Sequence, residues 1–155
     1  MIEYKLNIGE VATSAGKASY SCFGLGSCIG LFIKDNLTGY TGGAHIFLPD
    51  DEAANGYFPF SGVTQALDEI LRQLKAHGSN LMALRAKLAG GANFLGTESK
   101  VGEQNIQSVL RNLISRRIFV AATDLGGNFS RTTKFNSDTG VLTVSIPEMN
   151  QSKTY

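Results

Sequence analysis

A chain of 155 residues that is 43% hydrophobic and 17% charged suits one domain, 1–155, burying about 68–70% of its unfolded surface. That apolar content excludes a disordered chain. The net charge is +1 and the basic residues are scattered, with Arg116-Arg117 the only doublet, so there is no electrostatic footprint for nucleic acid or an anionic membrane surface.

Ile2, Tyr4, Leu6 and Ile8 alternate with polar residues and predict a half-buried strand. With Glu3 and Lys5 inside it, this segment lacks the apolar core of a signal peptide. No apolar run is long enough to span a membrane. Ala18 to Leu25 predicts a second strand, and Cys28 to Lys34, apolar on both faces, a buried third. Asp35 to Gly39 is turn chemistry, and Tyr40 to Leu48 is the next strand, stopped by Pro49-Asp50. A hairpin turning near Asn36–Leu37 sets Cys28 roughly opposite His45, and Cβ atoms so opposed lie about 4.5–5.5 Å apart.

Asp51 to Phe60 predicts a loop. Its aromatic segment Gly56 to Phe60 is either a plug on the core or a recognition surface, and the plug is favoured. Ser61 is the expected N-cap of a helix with the stripe Val63, Ala66, Leu67, Ile70, Leu71 and Leu74, and Gly78 is its stop. His77 then reads as a partner of the C-terminal dipole. Leu81 to Leu88 could be helix or strand; the Gly90-Gly91 turn after it favours strand. A second helix carries Ile106, Val109, Leu110, Leu113 and Ile114 on one face, with Glu103 in its first turn and Arg116-Arg117 in its last. Ile118 to Ala122 predicts a buried strand and Asp124 to Asn128 a turn. Thr132–Asn136 and Val141–Ile146 flank the hairpin turn Ser137 to Gly140. Residues 147–155 form a polar, peripheral tail. The expected architecture is an α/β (α+β) sandwich: mixed β-sheets packed with two main helices.

The chemistry concentrates at Cys28, within the glycine-rich run Gly24 to Gly30, and at His45, after Gly42-Gly43. A thiol and an imidazole beside glycines are the minimum kit for thiol nucleophilic catalysis. Free cysteine is only a few per cent thiolate near neutral pH, so a neighbouring base must take the proton or hold it as an ion pair. The glycine turn before Cys28 is a source of backbone N–H groups for an oxyanion. Plainer readings stand beside this one. A single cysteine is ordinarily a small buried hydrophobe, and His45 alone could be a satisfied core histidine. Two cysteines make no disulfide framework and fit a reducing compartment, although a Cys22–Cys28 bond is conceivable on oxidation. Cys22, Cys28, His45 and His77 reach a metal's ligand count, but their spacing matches no common zinc pattern. Asn128 and Arg131 could contact substrate, or Gly126 to Asn128 could be a turn needing left-handed backbone.

Four segments in order closely resemble the bacterial chemoreceptor glutamine deamidase family (CheD). They are Gly24-Leu25-Gly26-Ser27-Cys28, the Gly-Gly-x-His-x-x-Leu-Pro stretch at Gly42 to Pro49, Gly90-Gly91-Ala92, and Asp124-Leu125-Gly126-Gly127-Asn128 through Arg131 to Gly140. The resemblance runs to about Val144. It implies hydrolysis of selected glutamine side chains to glutamate on methyl-accepting chemotaxis receptors, with Cys28 and His45 as the catalytic pair and no metal or organic cofactor. It implies a fold similar to the core of bacterial glutamine-deamidating toxins. It also implies a cytoplasmic protein, with receptor cytoplasmic domains as partners and a CheC-type response-regulator phosphatase as a further one in some members. Glutamyl methyl-ester hydrolysis would use the same machinery. No nucleic acid partner or membrane insertion is expected, and a monomer is the default. A non-catalytic adaptor binding receptors or the phosphatase is the alternative.

The chain departs from the family at the third catalytic position. A threonine is usual six positions before the cysteine; here that position is Cys22, preceded by Ser21. A backbone carbonyl could orient the imidazole instead, Ser21 could supply a hydroxyl after a local shift, or the enzyme could be slower. The carbonyl is favoured, because backbone carbonyls commonly fix a histidine tautomer.

Overall fold

The computed structural model describes residues 1–49 and 60–155. Among the described residues, ten strands form two five-stranded sheets. The outer sheet runs β1 (Ile2–Lys5), β3 (Ala18–Leu25), β8 (Arg131–Asn136), β9 (Leu142–Ile146), β10 (Gln151–Thr154). The central sheet runs β2 (Val11–Ser14), β5 (Thr41–Ile46), β4 (Ile29–Asp35), β6 (Leu84–Gly90), β7 (Phe119–Leu125). Helices α1 (Val63–Ala76) and α2 (Val101–Ser115) cover the other face of the central sheet. The mixed-sheet sandwich with two main helices is the architecture expected.

Alternation along β4 sets the layering. Ile29, Leu31 and Ile33 pack with Ile70, Leu74 and Val109 in a helix-side core, whereas Cys28 and Phe32 pack with Tyr20, Cys22 and Phe135 between the sheets. Successive side chains of a strand point to opposite faces, so a strand between two cores must be apolar on both. Each large apolar side chain so buried contributes about 1.5–3 kcal/mol.

The α1 stripe is buried as expected, from Val63 through Leu74. Its N-cap is Gly62, not Ser61. The Ser61 carbonyl instead accepts the amides of Phe47 and Leu48, at 2.9 and 3.0 Å. Gly78 ends the helix with φ +89°, and the His77 ring meets Tyr40 edge-on, 4.9 Å between centroids. In α2 Ile106, Val109, Leu110 and Leu113 of the expected stripe meet the helix-side core, but the buried face also takes in small and polar residues. It holds Gly102, Asn105, Ser108, Val109 and Leu113, while Ile114 is 70% exposed. At about 100° per residue, Ile114 lies far round the helix from that face.

Other expectations are corrected. The first strand ends at Lys5; Ile2 is exposed and Leu6 buried. Val11–Ser14, which carries no clear alternation, forms β2 because it pairs with β5. Leu81–Ala83 is a short 3-10 turn and the strand proper is Leu84–Gly90. The segment expected as a buried strand at Ile118 to Ala122 is the edge strand β7, half-buried by alternation: Ile118 and Val120 reach the helix-side core, and Phe119 on the other face is exposed. The tail carries β10, which pairs antiparallel with β9; Tyr155 exchanges backbone bonds with Leu142 and its hydroxyl donates to Asp124 at 2.5 Å. The aromatic segment at 56–59 lies outside the described residues, and Phe60 packs on the helix-side core. Among the described residues no helix is long and apolar enough to cross a membrane.

Candidate active site

Cys28 sits where the chain crosses between sheets, after β3 of the outer sheet and just before β4 of the central one. Two bonds from the segment after β6 hold this crossing. The Gly91 amide donates to the Cys28 carbonyl at 2.9 Å and the Ala92 amide to the Gly26 carbonyl at 2.8 Å. Gly90, at φ +115°, must be glycine here, because a Cβ would stand 2.1 Å from the Cys28 carbonyl oxygen.

His45 lies on β5, paired with Gly30, so the register is two residues from the expected one. The cause is the turn. Asp35 and Tyr40 close it through a 2.8 Å backbone bond, and the Asp35 carboxylate accepts the Leu37 and Thr38 amides. The centre therefore falls between Leu37 and Thr38. A shift of two keeps every side chain on its face, so Cys28 and His45 remain on the same side of the sheet as diagonal neighbours. Both line a pocket of about 360 Å³ with Leu6, Asn7, Ile8, Phe23 and Gly24.

The loop after β1 completes the site. Leu6 is tied by its amide to the Ser21 carbonyl, and its own carbonyl lies 2.9 Å from His45 Nδ1. The backbone of His45 bonds to Gly9 and Glu10. A carbonyl can only accept, so Nδ1 carries the proton and Nε2 the lone pair. Nε2 is buried and has no partner among the described residues. A backbone carbonyl at the imidazole is what the sequence favours, but which one it is, Leu6, leaves no mark in residue type.

Burial governs the charges. Cys28 is 8% exposed and His45 4%. Desolvation pushes the Cys28 thiol up to about 11, its own backbone N–H pulling the other way. Desolvation also lowers the His45 pKa, against the Leu6 carbonyl and the Glu10 charge. Both shifts favour a neutral thiol beside a neutral imidazole at pH 7, not a resting ion pair.

Cys22 is fully buried between the sheets, directly across from Thr133 on β8, and does not line the pocket. Desolvation raises its thiol to about 12, with the Thr133 hydroxyl opposing. Both cysteines are free thiols. Arg131 is buried and bound within the fold, paired with Asp124 at 2.7 Å and donating to the Gly126 carbonyl at 2.6 Å. Gly126 and Gly127 have φ of +85° and +73°, and Asn128 donates to the Asn93 carbonyl at 2.9 Å. This segment is therefore a turn. Among the described residues no three His, Cys, Asp or Glu side chains could hold a metal ion together.

Fold and pocket define a three-layer α+β sandwich with a cysteine and a histidine buried together at one end of its central sheet. Residues 47–146 match the family model described as CheD chemotactic sensory transduction. A probable chemoreceptor glutamine deamidase CheD of Pyrococcus abyssi is 35% identical over 144 residues, 89% of this chain and 88% of the relative. One from Clostridium botulinum is 32% identical over 150 residues, 93% of each. The chemoreceptor glutamine deamidase CheD of Halalkalibacterium halodurans is 34% identical over 128 residues, 78% of this chain and 79% of the relative. The chain belongs to the CheD family.

Proposed function

We propose that this protein hydrolyses glutamine side chains of methyl-accepting chemotaxis receptors to glutamate, with Cys28 as nucleophile and His45 as base. The observation that carries the reading is the pocket itself. It joins a thiol to an imidazole whose Nδ1 is held by the Leu6 carbonyl and whose Nε2 has no partner among the described residues. The names of the relatives supply the substrate class.

In this mechanism the glutamine carbonyl enters the pocket and Cys28 Sγ attacks its carbon as Nε2 takes the thiol proton. The imidazolium exists only from that step on, which suits the neutral resting pair. The backbone N–H groups of the glycine-rich turn leading into Cys28 are the candidate donors to the oxyanion. Such a donor is worth about 2.7–4 kcal/mol. The C–N bond then breaks, and His45 returns its proton to the departing ammonia. Water, deprotonated by the same nitrogen, cleaves the thioester to glutamate and free thiol. No step calls for a metal or organic cofactor. A glutamyl methyl ester would follow the same path with methanol leaving. We further propose a cytoplasmic monomer acting on receptor cytoplasmic domains, with a CheC-type phosphatase as a second partner.

The test is mass spectrometry of a receptor cytoplasmic domain co-expressed with wild-type protein or with Cys28→Ala. Exchange of NH₂ for OH adds about 1 Da per converted glutamine. Wild type is expected to show that gain and Cys28→Ala to lose it. Equal modification by both would remove Cys28 from the chemistry. No modification by either would leave an adaptor role.

A further inference from the structure

We infer that Asn105 of α2 is a positioning residue, a brace that sets the Cys28 backbone against the strand carrying His45. The inference rests on the deamidase reading of that pair.

Asn105 is fully buried, on a helix face that otherwise meets the core. Its Nδ2 donates to two carbonyls, Ser27 at 2.8 Å and Phe47 at 3.2 Å. Both neighbours are acceptors, so the amide can face them only with its NH₂. Ser27 immediately precedes the nucleophile, and Phe47 follows His45 by two positions. The β4–β5 ladder ends at the pair Ile29 and Ile46, two positions after Ser27 and one before Phe47. Beyond that point the two strands no longer hold one another. A single side chain from a third element takes over, one hydrogen to each strand.

Helix α2 reaches this depth because Gly102 lies on the same face. A Cβ there would stand 2.3 Å from the Ala92 carbonyl oxygen, and the Ala92 amide binds Gly26 on the other flank of the crossing. The remaining acceptor of Asn105, Oδ1, is buried with no partner among the described residues. An unanswered buried acceptor is a cost to folding. An apolar side chain would avoid it but could not hold both carbonyls.

The test compares wild type with Asn105→Ala and Asn105→Asp, the latter keeping the shape but not the donors. Three measurements are read: the kcat and KM for receptor deamidation, thermal unfolding, and the pH profile of Cys28 alkylation by iodoacetamide. Loss of the brace is expected to lower kcat by about tenfold or more with KM within about twofold. In the neutral pair His45 assists alkylation only as a base, which gives a slow phase that levels off well below the titration of the thiol; that phase is expected to vanish, leaving the single rise of an isolated thiol. A folded variant that keeps kcat within about twofold overturns the brace. So does a slow variant whose alkylation profile superimposes on wild type, since positioning acts through the pair. If neither variant folds, the residue serves the fold alone and the positioning role is lost. Failure of wild type to convert receptor glutamine would overturn the deamidase reading instead, and the alkylation profiles would still decide the brace.

Discussion

The carbonyl oxygen of Leu6 lies 2.9 Å from Nδ1 of His45. That bond gives the imidazole one tautomer and one orientation without any side chain. Cys22, where the family resemblance leads to the expectation of a threonine, faces the core between the sheets and Thr133. The orienting task is then already filled when the hydroxyl is missing. Cys22→Thr is therefore expected to raise the deamidation rate by less than about threefold, under ~0.7 kcal/mol in the barrier. Steady-state rates on one receptor domain check this. A larger gain would assign the orienting role to position 22.

The neutral resting pair sets the pH dependence of activity. On the proposed mechanism His45 must be unprotonated to act as the base, and burial holds its pKa below the ordinary 6.5. The acid limb of kcat/KM is expected to fall below pH 6.5, with a plateau above it. Cys28 keeps its proton until about 11, so no alkaline loss is expected from the thiol before then. A pre-formed thiolate–imidazolium pair would behave differently, since iodoacetamide would trap Cys28 rapidly at pH 6. Rate profiles and alkylation measured on the same sample separate the two.

Stability follows the same groups with opposite signs at the two ends of the scale. The unfolded chain protonates His45 near 6.5 and the folded chain only lower down, so that stability is present above 6.5 and lost as pH falls through the folded pKa. The two thiols are raised from 9.0 to about 11 at Cys28 and about 12 at Cys22. Their contribution is full below about pH 9 and is lost as pH rises towards the folded values, at roughly 1.4 kcal/mol per pH unit for each thiol. Urea melts are expected to show a plateau between those limits. Tyr20, raised from 10.0 to about 12, adds to the slope above pH 10, so Cys22→Ala is expected to halve it only between about pH 9 and 10, and an unchanged slope there would mean that Cys22 does not set it.

Much of this was legible in the sequence because burial writes itself as period. The α1 stripe, β3, the apolar β4 and the β8–β9 hairpin all follow from alternation or helical spacing. Cys28 and His45 stood out through residue type and glycine context. What stayed hidden was held by backbone or by polar groups in apolar places. β2 exists because β5 has an open edge. The Leu6 carbonyl has no sequence signature. Helical spacing gives Ile106, Val109, Leu110 and Leu113 of α2 correctly and only Ile114 wrongly, but it gives no sign of Gly102 and Asn105 on the buried face, because neither is apolar bulk. Both are there for what they let the helix touch. The hairpin register stands two residues from expectation because the turn that Asp35 and Tyr40 close is centred at Leu37–Thr38 rather than Asn36–Leu37.

The buried ion pair behind the site yields the last expectation. Arg131 and Asp124 have side chains only 6% and 13% exposed and meet at 2.7 Å. Arg131 also donates to Gly126, and Asp124 accepts the Tyr155 hydroxyl. Gly126 in turn donates its amide to the Gly90 carbonyl, beside the segment that holds the Cys28 crossing. Removing one charge of such a pair strands the other in the core. Arg131→Met is thus expected to cost about 3–5 kcal/mol. For a chain of this size each kcal/mol is roughly 2–4 °C in Tm, so the midpoint should drop by roughly 6–20 °C. Replacing both charges, Arg131→Met with Asp124→Leu, removes the stranded carboxylate and is expected to recover most of that loss. The Tyr155 hydroxyl then lacks its acceptor, which bounds the recovery below wild type. Thermal and urea melts of the single and double variants decide it. If the double variant is as unstable as the single one, the cost lies in the lost Gly126 contact rather than in the uncompensated charge.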